Sequence, residues 1–174
     1  MSTLLYFFSF FLLILYIITG FYITQCSVYL GPFRDTDLQI ANAYRYATWS
    51  ACIPWIIIAA SIGFFILYVY LMAETGGELQ LAQAQNAESS WGPTLFFIVI
   101  LVLITINGIL SSVAAHHIQL SNIYAAGNQQ VKNAYYDAII SAGVSIGIVV
   151  IILGILIYRA IPESQPEPIQ QQIK

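Results

Sequence analysis

TLFFIVILVLITINGILSSVAA, from Thr94 to Ala115, is the stretch on which the fold turns. It carries no charge and no proline, and its polar side chains are confined to Thr94, Thr105, Asn107, Ser111 and Ser112. As a helix rising about 1.5 Å per residue it extends about 33 Å, enough to cross a hydrocarbon core of about 30 Å. A barrel strand would be about half as long and would alternate apolar with polar residues, which this stretch does not.

On either side lie three further stretches of the same kind, from Leu4 to Thr24, Ala51 to Ala73 and Ala138 to Ala160, none with an interior charge. The predicted fold class is therefore all-α: a polytopic membrane protein with four transmembrane helices in two tandem hairpins. Residues 1–90 form the first hairpin with its acidic, Gln-rich connection, residues 91–161 the second, and residues 162–174 a Pro- and Gln-rich tail. The first stretch lacks the basic leader and small-residue cleavage pattern of a signal peptide, so it is read as a retained anchor.

Composition agrees. Of 174 residues 59% are hydrophobic and 7% charged, where a soluble protein has about 25% charged. Five basic residues, a net charge of -3 and no basic run make a nucleic-acid partner unexpected. Two cysteines cannot make a disulfide scaffold. Four spans put both termini and the Glu74–Pro93 connection on one face. The opposite face holds Arg34, Arg45 and Lys132, against Arg159 and Lys174 on the terminal side, a small excess that tilts the opposite face toward the cytoplasm.

The two hairpins resemble each other. Asn42-Ala43-Tyr44 recurs as Asn133-Ala134-Tyr135, and the same offset pairs Ala47 with Ala138, Ser50-Ala51 with Ser141-Ala142, and Gly63 with Gly154. At a slightly different offset Ile18-Thr19-Gly20 matches Ile106-Asn107-Gly108. An internal repeat of this kind predicts parallel copies about an axis along the membrane normal, and hence a four-helix bundle. Before the second and fourth spans, DLQIANAYRYATWS (Asp37–Ser50) and QQVKNAYYDA (Gln129–Ala138) lack Gly and Pro. They are expected to continue the helices as stalks, the first capped by Asp35 or Thr36. Tyr44, Tyr46, Trp49, Tyr135 and Tyr136 would anchor at the headgroups or dock a partner protein.

Intramembrane ionisable groups mark proton relays and coupled transport, and the spans have none. Paired hairpins invite comparison with rotary ATPase proteolipid subunits, but those depend on a mid-membrane carboxylate. Thr19, Ser61, Thr105, Asn107 and Ser145 are expected to make interhelical hydrogen bonds of about 1 kcal/mol or less. His116 and His117 are adjacent, so on a helix they point about 100° apart and do not face one metal. No cofactor or metal ligand set is expected. Cys26 and Cys52 flank the first hairpin's turn; free thiols are expected, with a disulfide as the alternative in an oxidising compartment.

Small residues one turn apart, Ala59 with Gly63, Gly108 with Ser112, and Gly143 with Gly147, are the candidate helix-packing positions, inside the bundle or in a homo-oligomer. Pro54 is placed to bend the second helix. The connection is expected to hold a short helix from Gly77 to Asn86, and the tail from Pro162 to be extended. The Cys-Cys-Gly of tetraspanins and the first-loop signature of claudins are missing. The expected function is non-enzymatic: anchoring, spacing or organising a larger membrane assembly, with lipid and other membrane or peripheral proteins as partners. A virion membrane is one setting that fits. The alternative is an oligomeric channel, or an accessory subunit of a transporter or respiratory complex, its pore lined by Thr105, Asn107 and Ser111 or by Ser141 and Ser145.

Overall fold

Charge is missing from the first helix, α1 (Thr3–Leu30), and what ends it is Gly31-Pro32-Phe33, wound into a single 3-10 turn. The computed structural model describes residues 3–74 and 91–160. After the turn come α2 (Leu38–Glu74), α3 (Trp91–Gln119), the one-turn α4 (Asn122–Ala125) and α5 (Gln129–Ala160). The described residues contain no strand, and four helices are long and apolar enough to cross a membrane. The expected helix from Gly77 to Asn86 and the tail from Pro162 lie outside the described residues.

The starts of α2 and α5 are set by capping. Asp37 Oδ1 accepts the Gln39 N–H at 2.7 Å, and Asn128 Oδ1 accepts the Gln130 and Val131 N–H groups at 3.0 and 3.2 Å. Each cap satisfies amides that the first helical turn cannot pair internally. Asp37, rather than Asp35 or Thr36, caps α2, because the helix begins at Leu38 and only Asp37 stands at the flanking position. Between α3 and α5, Ser121 caps α4 through Tyr124 N–H at 3.1 Å. Gly127, at φ 84°, then makes the reversal into α5; this left-handed conformation is one that glycine takes without steric cost. As expected from DLQIANAYRYATWS and QQVKNAYYDA, helix runs continuously into Ala51 and Ala138 from well before them.

The four long helices form a ring in which α1 and α3 each pack between α2 and α5. Helices α1 and α3 face each other across one diagonal, α2 and α5 across the other. Toward the end bearing the α1–α2 turn, the core takes three residues from each: Ile23, Cys26 and Leu30; Ile40, Ala43 and Ala47; Ala114, Ala115 and Ile118; Val131, Ala134 and Ala138. Five of the twelve are alanines, so backbones approach closely there. The spacing i, i+3, i+7 in α1, α2 and α5 is that of a narrow bundle seam. A second layer further along takes one residue per helix, Tyr16, Ile57, Ile104 and Ile148.

Outside, the ring is apolar. Ile98, Val99, Val102, Ile106 and Ile109 on α3, and Ile139, Ile146 and Val150 on α5, are exposed. Apolar surface this continuous is a liability in water and the ordinary exterior of a protein solvated by lipid. Fold and exterior together are those of a multi-pass membrane protein.

Candidate functional site: a buried polar seam and matched hairpin contacts

The most concentrated chemistry in the bundle is a run of polar side chains between the two apolar layers. Ser50 on α2, Asn107 and Ser111 on α3, and Ser141 and Ser145 on α5 are all fully buried. Their positions follow from helical spacing: Asn107 and Ser111, like Ser141 and Ser145, are four residues apart and so share a face. Ser50 Oγ donates to Asn107 Oδ1 at 2.7 Å and lies 2.8 Å from Ser111 Oγ. Asn107 Nδ2 donates to Ser145 Oγ at 2.8 Å, and Ser111 and Ser141 meet at 3.1 Å. One unbroken chain, Ser145–Asn107–Ser50–Ser111–Ser141, thus joins three helices. Thr19, also fully buried, turns its hydroxyl to its own helix at Leu15 O, 3.0 Å away.

This seam is the interhelical hydrogen bonding expected of Asn107 and Ser145. It also removes the pore-lining arrangement of the channel alternative within one chain: Asn107, Ser111, Ser141 and Ser145 face one another, while Thr105 is on the outside and donates to Leu101 O at 2.8 Å. Ser50 was legible in the sequence only as a repeat match. Lying just before the expected second span, it looked interfacial, whereas α2 sits lower against α3 than the hydropathy boundary suggested and sets Ser50 opposite Asn107.

No protein-family model, curated protein or solved structure matches the chain. Its site is therefore described from its own geometry alone.

At the turn end, Asp37 ties the two hairpins together: besides capping α2, its Oδ2 accepts the Asn122 N–H at 3.0 Å. Beside it His117 Nδ1 lies 2.7 Å from Gln39 Oε1, and the His117 ring stacks on Tyr46 with centroids 5.5 Å apart and planes within 5°. His116 points outward, exposed, as adjacent helical positions require. Among the described residues no three His, Cys, Asp or Glu side chains come together as a metal site requires.

Of the five aromatic residues expected at the headgroups or on a docking stalk, three turn inward. Tyr46 stacks on His117, Tyr135 lies 5.2 Å from Tyr124, and Tyr44 lies under the Arg34 guanidinium at 6.0 Å. Asp35, 3.3 Å from Arg34, raises the guanidinium pKa further by hydrogen bonding and charge. Only Trp49 and Tyr136 are exposed, at 71% and 59%. The stalks are thus packed bundle rather than open arms, because their alanines at positions 43, 47, 134 and 138 bring the four helices together.

The two cysteines are free thiols facing opposite ways. Cys26 is in the core and Cys52 on the exterior, so no disulfide closes the turn. Of the small-residue pairs, Gly108 alone makes a tight contact between helices. A Cβ on it would lie 3.3 Å from Ser145 Cβ and 3.5 Å from Ile146 Cγ1. Ala59 and Ser112 are exposed, and a Cβ on Gly63, Gly143 or Gly147 would meet nothing within 4 Å. These pairs lie on outward faces, since the buried stripes of α2 and α5 run through Ser50, Pro54 and Ile57 and through Ser141, Ser145 and Ile148.

The closest approach between helices was not singled out in the sequence. A Cβ on Gly20 would lie 3.1 Å from Pro54 Cβ and 3.5 Å from Trp55 Cε2. Pro54, instead of being only a bend, is the surface on which α1 rests. The two hairpins therefore make the same contact: a glycine of the first helix sits against two consecutive residues of the second, Pro54-Trp55 in one and Ser145-Ile146 in the other. Four residues on, a hydroxyl donates back to that glycine's carbonyl in both, Thr24 to Gly20 at 2.7 Å and Ser112 to Gly108 at 2.8 Å. They differ in what covers the hydroxyl. Trp55 lies over Gly20 and donates its indole N–H to Thr24 Oγ1 at 3.2 Å; in the second hairpin the corresponding residue is Ile146.

Proposed function

We propose that this chain is a non-enzymatic structural protein of a membrane assembly, which it anchors or organises through its outward helical faces. The observation that carries the reading is the closed Ser145–Asn107–Ser50–Ser111–Ser141 chain. Each of these buried groups is satisfied by another, so the core holds helices together and leaves no polar group turned toward a substrate or an ion path. Absence of an ionisable residue from the apolar spans supports the same reading. In this reading both ends of the chain and the connection between the hairpins lie on one side of the bilayer, and a virion membrane is one setting in which such a protein would work. The hairpins are read as copies of one ancestral unit, supported by the paired caps Asp37 and Asn128 and the paired glycines Gly20 and Gly108.

The competing reading, a channel or a transporter subunit, separates from this one in reconstituted liposomes. The structural reading expects ion and neutral-solute flux no higher than in empty vesicles, together with recovery of the chain from its native membrane in a complex of fixed stoichiometry. Selective conductance that disappears in Asn107→Leu, with the variant still folded, would overturn it.

A further inference from the structure

On the outer face of the second hairpin, where the first hairpin carries an indole, there is an open groove of about 350 Å³. Its floor is Gly108 and Ser112, and its walls include Ile109, Ile146 and Val149. The first hairpin shows what such a floor takes: over Gly20, Trp55 lies against the helix and donates its N–H to Thr24. Ser112 repeats Thr24 in spacing and in bonding. Its proton is committed to Gly108 O, and its oxygen keeps lone pairs with which to accept. The groove thus has the shape and the acceptor for an indole, and Ile146 does not fill it.

Trp49 supplies the matching ring. It is 71% exposed, and its N–H makes no hydrogen bond among the described residues. An indole N–H facing lipid lacks an acceptor unless a protein group provides one. Depth matches as well. Ser50 is bonded to Asn107 and Ser111, so Trp49 and Ser112, their immediate neighbours in sequence, lie at one level of the bundle. Two copies inserted in the same sense hold the Trp49 of each at the depth of the other's groove.

We propose that the groove over Gly108 and Ser112 receives Trp49 of a second copy of this chain, making a dimer with two reciprocal indole contacts about an axis along the membrane normal. Such reciprocity is the usual form of a twofold interface. This inference deepens the assembly reading by naming one partner, and it rests on that reading only in treating the outward faces as contact surfaces.

Sedimentation equilibrium of the full chain in detergent micelles, over a dilution series, tests it. Wild type is expected to dimerise. Trp49→Ala and, separately, Ser112→Phe, which fills the groove from its own floor, should each weaken the dimer roughly 30-fold, the scale of a tryptophan hot spot. Helical content and melting of each variant should match wild type, since both side chains are exposed. In a Cys26→Ser, Cys52→Ser background, mixed Trp49→Cys and Ser112→Cys chains should form a disulfide-linked heterodimer on oxidation. A wild-type monomer at every concentration, with or without co-purified lipid in the groove, overturns the proposal; so does a dimer indifferent to both variants. A monomer without ion flux would sink the dimer and leave the assembly reading standing.

Discussion

Ser50 on α2 donates to the side-chain carbonyl of Asn107 on α3 at 2.7 Å, and both residues are fully buried. In a bundle whose exterior is as apolar as lipid, burying apolar surface does not by itself bring helices together; packing and polar contacts must. Asn107 also reaches Ser145, so its carboxamide spans α2 and α5 from α3.

Removing Asn107 should therefore cost more than removing either serine. Asn107→Ala is expected to destabilise the bundle by about 1–3 kcal/mol, because Ser50 and Ser145 each lose a partner in a buried setting. The coupling between Ser50→Ala and Asn107→Ala should be about 0.6 kcal/mol and no more than about 1.7. A double-mutant cycle of unfolding in mixed micelles measures it; strict additivity would mean the 2.7 Å contact carries no energy.

Glycines on the two kinds of face should respond in opposite ways. Gly20→Val places side-chain atoms where a Cβ alone would already lie 3.1 Å from Pro54 Cβ, and overpacking of this kind costs about 1–3 kcal/mol. Gly143→Ala meets nothing within 4 Å and should raise helix stability by up to about 1 kcal/mol. Melting temperatures of the two variants check the sign; equal destabilisation would contradict the outward placement of Gly143.

Asp37→Ala should loosen two elements together. The carboxylate caps α2 at Gln39 and holds Asn122 at the start of α4, so its loss is expected to cost about 1–2 kcal/mol. Amide hydrogen exchange should quicken at Gln39 and at Asn122 alike. Faster exchange at Gln39 alone would show that the link between hairpins does not persist in solution.

Tyr16 sits among Ile57, Ile104 and Ile148, and its hydroxyl has no hydrogen-bond partner among the described residues. An unpaired buried hydroxyl is a net cost, so Tyr16→Phe should stabilise the fold by about 1 kcal/mol or more. A variant less stable than wild type would assign that hydroxyl a bond.

Thiol labelling separates the cysteines. Cys52 on the exterior should react with a membrane-permeant maleimide while Cys26 stays protected until the bundle is unfolded in SDS. Equal protection of both, reversed by a reducing agent, would indicate the disulfide that the folded chain does not contain.

How far the sequence reaches can be seen residue by residue. Thr94–Ala115 announced a spanning helix because length and the absence of charge are one-dimensional properties, and hydrocarbon leaves the backbone few alternatives to helix. The continuation of α2 below Ala51 was equally legible, since nothing between Asp37 and Ser50 breaks a helix. Asn107 and Ser145 could be marked as interhelical bonders, because lipid tolerates polar side chains only where they find partners.

Which partners they find is a different kind of fact. Ser50 meets Asn107 only because α2 and α3 settle at one relative height, and that height depends on how alanines at positions 43, 47 and 114 let the backbones close. The same stripe decides that Gly108 packs while Gly143 and Gly147 do not, although all three read alike in sequence. It turns Tyr44, Tyr46 and Tyr135 inward and leaves Trp49 facing out. Hydropathy fixes that a helix crosses the membrane; rotation about the helix axis and displacement along it come from packing, and packing is what gave the chain a sealed polar core and an open groove one indole wide.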